Sequence, residues 1–279
     1  MSTPIAVCHG AFGRVCLYAM DRAMALHAHR EGHLIFHVEG PAAEVVVDGR
    51  AAPLTQGQAV AVSPFQAHYY RPVVSGAPVV ALVLYIRPGW FVENASRVSG
   101  SLRFGRVAIE VTDYFARLVV ETAHAMLDPD RDDPALPDRL CTLTQASFDQ
   151  SWQWTDRASL LAGALNVRRD WRIRKALGLI QDRLCDFPGL DDVAREVGLS
   201  RPHFFKLFHE QVGVTPAIYL NSLRMEEAIE RLARTPHPVT EISFDLGFSS
   251  QASFSRFFIA NGVVAPSAYR RIVQVADAH

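Results

Sequence analysis

Over roughly the last hundred residues the apolar positions recur at three- and four-residue spacing, and one arrangement occurs twice. In the first copy Val193, Ala194 and Val197 mark a short helix, Gly198 a turn, and Phe204, Leu207 and Phe208 the inward face of a second helix. In the second copy Ile242, Ser243 and Leu246 precede Gly247, and Phe254, Phe257 and Phe258 follow. Asp191 reads as a helix start, Ser200 as the cap of the next helix, and Ser249 or Ser250 as its counterpart. The second copy has one more residue between its glycine and its first core Phe, so the repeat is approximate. Between the copies Pro216, capped by Thr215, opens a helix with the stripe Tyr219, Leu220, Leu223, Ala228, Ile229 and Leu232. About eighteen helical residues span roughly 27 Å, close to the roughly 34 Å rise of one DNA turn.

Upstream the period shortens to that of strands. Val15–Met20, His33–Val38, Glu44–Val47, Gln58–Val62, His68–Arg71 and Val79–Ile86 read as strands, separated by turns such as Glu39-Gly-Pro, Asp48-Gly-Arg and Gln56-Gly-Gln. Many short strands imply an antiparallel barrel or jelly roll. After Pro88 helical spacing takes over: Asp113–Leu127, an acidic Pro-rich loop from Asp128 to Asp138, Leu140–Trp154, Arg157–Val167, a charged junction at Val167–Trp171, and Arg172–Leu184. The expected fold class is a two-domain α+β chain. A β-barrel domain occupies 1–106, a helical segment 107–167 either dimerises the chain or covers the barrel, and an all-α domain occupies 168–279.

A short helix, a glycine turn and a second helix form the outline of a helix-turn-helix, whose second helix enters the major groove. One such outline is common in helical domains; two, joined by a helix of matched length, point to DNA. The outward positions are Arg201, Pro202, Phe205 and Lys206 in the first unit, and Gln251, Ala252, Ser255 and Arg256 in the second. Arg pairs bidentately with guanine, Gln with adenine, and Ala meets a thymine methyl.

Net charge is −1 for the 279 residues, which offers DNA little bulk attraction. Residues 166–279 carry 15 Lys and Arg against 13 Asp and Glu, so specific contacts and helix termini must supply what bulk charge does not. No apolar run is long enough to span a membrane, and Asp21 interrupts any signal-like start. Cys8, Cys16, Cys141 and Cys185 have no paired spacing and read as thiols of a reducing compartment. The expected location is the cytoplasm.

The stretch from Trp171 to Arg271 resembles the DNA-binding domain of the AraC/XylS family of transcription regulators. The motifs that carry the resemblance are Ala194-x-x-x-Gly198-x-Ser200, Gly213-Val-Thr-Pro-x-x-Tyr219, and Gly247-Phe-Ser-Ser-Gln-x-Ser-Phe-Ser-Arg-Phe-Phe258 followed by Pro266-Ser-Ala-Tyr-Arg270. The resemblance implies a seven-helix domain with both reading helices in adjacent grooves. It places base contacts at Pro202, Phe205, Lys206, Gln251, Ala252, Ser255 and Arg256. This chain departs from the family at Phe205, where a polar residue is usual, at the uncharged Ile259-Ala260-Asn261, and at Val263, where the family has glycine.

Five of the eleven histidines lie between residues 27 and 68. His27-Ala-His29-Arg-Glu-Gly-His33, with the later Pro64-Phe-Gln-Ala-His68, resembles the cupin motifs. The resemblance implies that His27, His29, His33 and His68 converge inside the barrel, with His33 in place of the usual Glu. Imidazoles suit Zn²⁺, Fe²⁺, Cu²⁺ or Ni²⁺. The other reading is an organic-effector pocket lined by His27, His29, Phe36, His68 and Tyr70. Glu31 lies beside the cluster, as a base, a further ligand or a turn residue.

These readings make the chain a DNA-binding regulator, expected as an activator, rather than an enzyme. Its expected partners are double-stranded DNA, a small-molecule effector, a second copy of the chain and RNA polymerase. A divalent Zn, Fe or Ni ion is the candidate cofactor. Two alternatives stay open: a metal-dependent cupin enzyme fused to a DNA-binding domain, and a regulator whose barrel only dimerises.

Overall fold

The computed structural model describes residues 3–94, 103–128, 133–152, 170–262 and 264–275. The N-terminal half is two facing sheets. The larger contains β1 (Thr3–Gly10), β2 (Gly13–Met20), β3 (Gly32–Glu39), β6 (Gln58–Val62), β8 (Val79–Ile86), β9 (Ala108–Glu110) and β10 (Val273–Val275), in the order β10-β1-β2-β8-β3-β6-β9. The smaller has the order β5-β4-β7, from β4 (Ala43–Val47), β5 (Arg50–Leu54) and β7 (His68–Pro72). Period two explains the layering. Cys16, Tyr18, Ile35, Val83 and Tyr85 face Val45, Val47 and Tyr70 of the small sheet. Their neighbours Val15, Leu17, Leu34, Phe36 and Leu84 face outward, onto α1 (Pro88–Asn94), α2 (Asp113–Leu127) and α3 (Leu136–Trp152).

The expected strands are all present, and four were missed. β5 follows from the Asp48-Gly49 turn, where both residues have positive φ (48° and 79°), the geometry of a two-residue hairpin loop. Its Pro53 is accommodated because β5 is an edge strand. Helix α3 starts at Leu136, not at Leu140, so Asp138 lies in its first turn. The expected helix over Arg157–Val167 lies outside the described residues, as does most of the expected junction.

The C-terminal half contains α4 (Trp171–Asp182), α5 (Leu190–Glu196), α6 (Arg201–Val212), α7 (Pro216–Arg234), α8 (Val239–Asp245), α9 (Gln251–Gly262) and α10 (Pro266–Ile272). Those are seven helices among the described residues, as the resemblance implied. Gly198 and Gly247 make the two turns with φ of 73° and 77°. Thr215 caps α7, accepting from the Ile218 N–H at 3.3 Å, and Ser250 caps α9, accepting from Ser253 N–H at 3.1 Å. Ser200 precedes α6 but makes no capping hydrogen bond, and Gly189, not Asp191, sits at the start of α5. Pro202 in the first turn of α6 removes one of the N–H groups a cap would satisfy. No described helix is long and apolar enough to cross a membrane.

The two halves are joined by more than the chain. β10 pairs in parallel with β1, adding a C-terminal strand to the N-terminal sheet. His9 and the Tyr269 hydroxyl meet at 2.8 Å. Burial, then Arg14 and more distant arginines, push the His9 imidazole down to about 3, so it stays neutral in this contact. Arg87 pairs with Glu230 of α7 at 3.2 Å.

Candidate functional site

The histidine cluster is built by backbone pairing. His27 and His68 face one another across an antiparallel bridge, exchanging N–H to carbonyl bonds of 3.0 and 2.9 Å. Residues directly opposite in such a pair put their side chains on one face. His29 follows two residues on, and its ring packs against those of His27 and His68. His33 comes from β3 of the large sheet, opposite Tyr85 of β8. The ring centroids lie 4.4 Å apart for His27–His68 and His33–His68, 4.8 Å for His27–His29, and 5.4 Å for His29–His33 and His29–His68. One ligand atom each of His27, His29 and His68 falls within 4.8 Å of the others.

The four rings are 2 to 6% exposed, so bulk water cannot satisfy them. Burial is the main force holding each below the usual imidazole value; mutual repulsion adds to it for His29, His33 and His68. All four are therefore neutral near pH 7. Nδ1 of His27 lies 2.7 Å from the Ala25 carbonyl, and Nδ1 of His68 lies 2.7 Å from the Gln66 carbonyl. A carbonyl only accepts, so both Nδ1 atoms carry the proton and both Nε2 atoms offer a lone pair. Nε2 of His29 and Nδ1 of His33 are buried without a hydrogen-bond partner. Arg14 lies beneath, its guanidinium 3.7 Å over the Tyr85 ring and 3.5 Å from Glu31. Sequence reading placed Glu31 near the cluster but missed Arg14, whose burial nothing local signals.

Beside the rings is a cavity of about 30 Å³, lined by Tyr18, Met24, His27, His33, His68 and Tyr70 among others. Tyr70 thus lies where the pocket reading put it, its hydroxyl donating to the Met20 carbonyl at 3.3 Å. Phe36 does not. It is 1% exposed on the opposite face of the large sheet, packed with the helices. The reason is period two: an odd offset from His33 sends it the other way.

The second site is on the C-terminal half. Arg201, Pro202 and Lys206 of α6 are exposed, while Phe205 is half-buried beneath the Arg201 guanidinium, 4.9 Å from its ring centroid. Arg201 also pairs with Asp191. Lys206 is held only loosely, 4.0 Å from Glu210, an exposed pair worth about 0–1 kcal/mol. On α9, Gln251, Ala252 and Arg256 are exposed and Ser255 half-buried. The Gln251 carboxamide oxygen accepts from the Thr240 hydroxyl at 2.6 Å, and Arg256 donates to the Ser253 hydroxyl at 3.2 Å. Both helices turn their phenylalanines inward: Phe204, Phe208, Phe254 and Phe258 are fully buried. Each helix thus shows a polar face with one basic side chain at the equivalent place.

Two family models match the chain: an AraC-like ligand binding domain over residues 12–140 and a helix-turn-helix domain over 193–272. The HTH-type transcriptional regulator MtrA of Neisseria gonorrhoeae is 27% identical over 137 residues, 49% of this chain and 44% of that one. The regulatory protein PocR of Salmonella typhimurium is 36% identical over 37% of this chain and 34% of its own. The Tn10 TetD protein of Escherichia coli is 40% identical over 29% of this chain and 59% of its own. The matches thus span about a third to three-fifths of these curated relatives. Among solved structures, an apo ToxT variant from Vibrio cholerae superimposes with a TM-score of 0.63 at 16% identity, over 95% of this chain and 98% of that one. Wild-type ToxT bound to an unsaturated fatty acid gives 0.59 at 16% identity, over 95% and 97%. At that identity the likeness is one of fold, and it extends over both halves.

Proposed function

The chain belongs to the AraC/XylS family, with an AraC-like ligand-binding domain followed by a helix-turn-helix domain, and from that premise we propose that it is a sequence-specific, DNA-binding transcription regulator. The observation that carries the reading is the pair of exposed faces on α6 and α9, held apart by α7. At 1.5 Å per residue the 19 residues of α7 extend roughly 28 Å. That length sets two reading helices at about the spacing of successive major grooves. Lys206 and Arg256 supply the basic contact in each groove, and Gln251 and Ala252 add base-edge chemistry. Arg201 can join them only by leaving Asp191.

The N-terminal sheets carry the effector site, as the match of residues 12–140 to an AraC-like ligand binding domain supports. The exposed Val120 and Leu127, seven residues apart on α2, support a second copy of the chain as a partner, which light scattering would show as a dimer mass.

The test is selection of binding sites from random double-stranded DNA. A bipartite site with half-sites about 10–10.5 base pairs apart is expected. Arg256→Ala should cost about 1–3 kcal/mol at one base position and relax the preference there. Lys206→Ala should act on the other half-site. Absence of any enriched sequence would defeat the reading; equal weakening on all sequences would make Arg256 a phosphate contact.

A further inference from the structure

We propose that the histidine centre binds a divalent first-row transition-metal ion through His27, His29 and His68, and that this ion fixes the packing of the ligand-binding domain on α7. The metal part stands apart from the regulator reading; only its consequence for DNA binding rests on it.

The donor set argues for the ion. Four neutral imidazoles converge from two sheets and a loop, with two Nε2 lone pairs set free by carbonyl bonds to the opposite nitrogens. A ring nitrogen bonded in this way is the usual support of a metal-ligating histidine. Nε2 of His29, buried without a hydrogen-bond partner, carries a desolvation cost that a ligand would relieve. Size decides between ligand types. A cavity of about 30 Å³ accommodates an ion or a water, whereas one holding benzene measures about 150 Å³. A second opening of about 30 Å³ is lined by His27 and His29 on one side and by Ile218, Asn221, Ser222 and Met225 of α7 on the other.

The position of the ligands argues for the coupling. Ala28, between His27 and His29, accepts a 2.7 Å bond from the Ser222 hydroxyl of α7. The Arg30 N–H donates to Glu226 of α7 at 3.1 Å. Phe65, three residues before His68, has a φ of 59°, a left-handed conformation that a bulky residue holds only when its surroundings impose it. Its N–H donates to the His29 carbonyl at 2.6 Å, and its ring meets Tyr219 of α7 at 5.1 Å. The segments that present the imidazoles are therefore the ones that touch the strut between the two reading helices. An ion drawing His27, His29 and His68 together favours the arrangement in which Ala28, Arg30 and Phe65 sit as they do, and stabilises it by mass action.

To test this, the full chain without a histidine tag is depleted of metal and titrated with Zn²⁺, Ni²⁺ and, anaerobically, Fe²⁺. Bound metal is counted by mass spectrometry after gel filtration. About one ion per chain is expected, with a nitrogen first shell at about 2.0–2.1 Å for Zn²⁺ by X-ray absorption. His29→Ala and His68→Ala should each weaken binding at least about tenfold. Failure to take up any of the three ions, or a first shell of oxygen or sulfur, overturns the site. Hydrogen exchange over residues 216–234 reads the coupling: metal should slow it, and less so in Ser222→Ala, which removes the bond to the Ala28 carbonyl. Unchanged exchange in a metal-loaded protein overturns the coupling. Should the alanine variants fail to fold, the wild-type spectrum still decides the site. Neither readout uses DNA, so a chain that selects DNA but takes up no metal sinks this inference alone.

Discussion

Four imidazoles almost sealed from water are stable only while neutral. In the unfolded chain each takes a proton near pH 6.5, whereas in the folded metal-free chain burial resists protonation until lower pH. The unfolded state thus binds more protons as pH falls, so their contribution is present above about 6.5 and is lost below it. The urea midpoint of metal-depleted protein should drop between pH 7.5 and 5.5; a flat midpoint would mean that the rings are wetter than their burial implies. The identity of these residues was legible in the sequence, because spacing and a distant fourth histidine named all of them. Phe36 was misassigned although the register to exclude it was available by counting from His33. Arg14 was not legible, since its burial depends on Tyr85 and Glu31 from other strands.

At the scale of elements, the two helix-turn-helix corners offer a comparison. Gly198 and Gly247 have nearly the same left-handed φ, so an alanine at either costs about 1–2 kcal/mol in backbone strain. A Cβ at Gly198 would meet nothing within 4 Å, whereas one at Gly247 would lie 2.9 Å from Nη2 of Arg224. That atom is the end of a long side chain and can move. Gly198→Ala and Gly247→Ala should therefore lower unfolding free energy by similar amounts in denaturant titrations; a much larger loss at Gly247 would mean that Arg224, above the Phe248 ring at 5.3 Å, is immovable. Thr215→Ala should cost about 1 kcal/mol through the lost cap of α7. The long amphipathic helices and alternating strands were readable because their period is local. β9 and β10 were not: three residues each, they are strands only because β6 and β1 pair with them.

At the scale of the whole molecule, Glu226 records how the two halves meet. Burial and the nearby Glu31 push its carboxyl up to about 8, against the opposing pull of Arg30 and Arg14. A raised carboxyl favours the folded state below about 4.5 and loses that advantage as pH rises towards 8. Glu226→Gln keeps the shape and removes the titration. The stability of the variant relative to wild type should therefore rise with pH across this window, which thermal unfolding at several pH values would show. A pH-independent difference would mean that Glu226 is solvated when the domains are joined.

The sequence by itself determined the two fold classes, both helix-turn-helix units, their outward residues and the four histidines. Each of these is written in a period, a turn residue or a spacing that a short stretch of chain contains. Tertiary structure decided what lies between them. The β1–β10 pairing, the His9–Tyr269 contact and the meeting of Ala28, Arg30 and Phe65 with α7 join residues about 150 to 270 positions apart. No local pattern encodes such contacts. They exist because burying apolar surface on both sides of the boundary brings those backbones together, and with them the histidine centre and the strut of the DNA-reading domain.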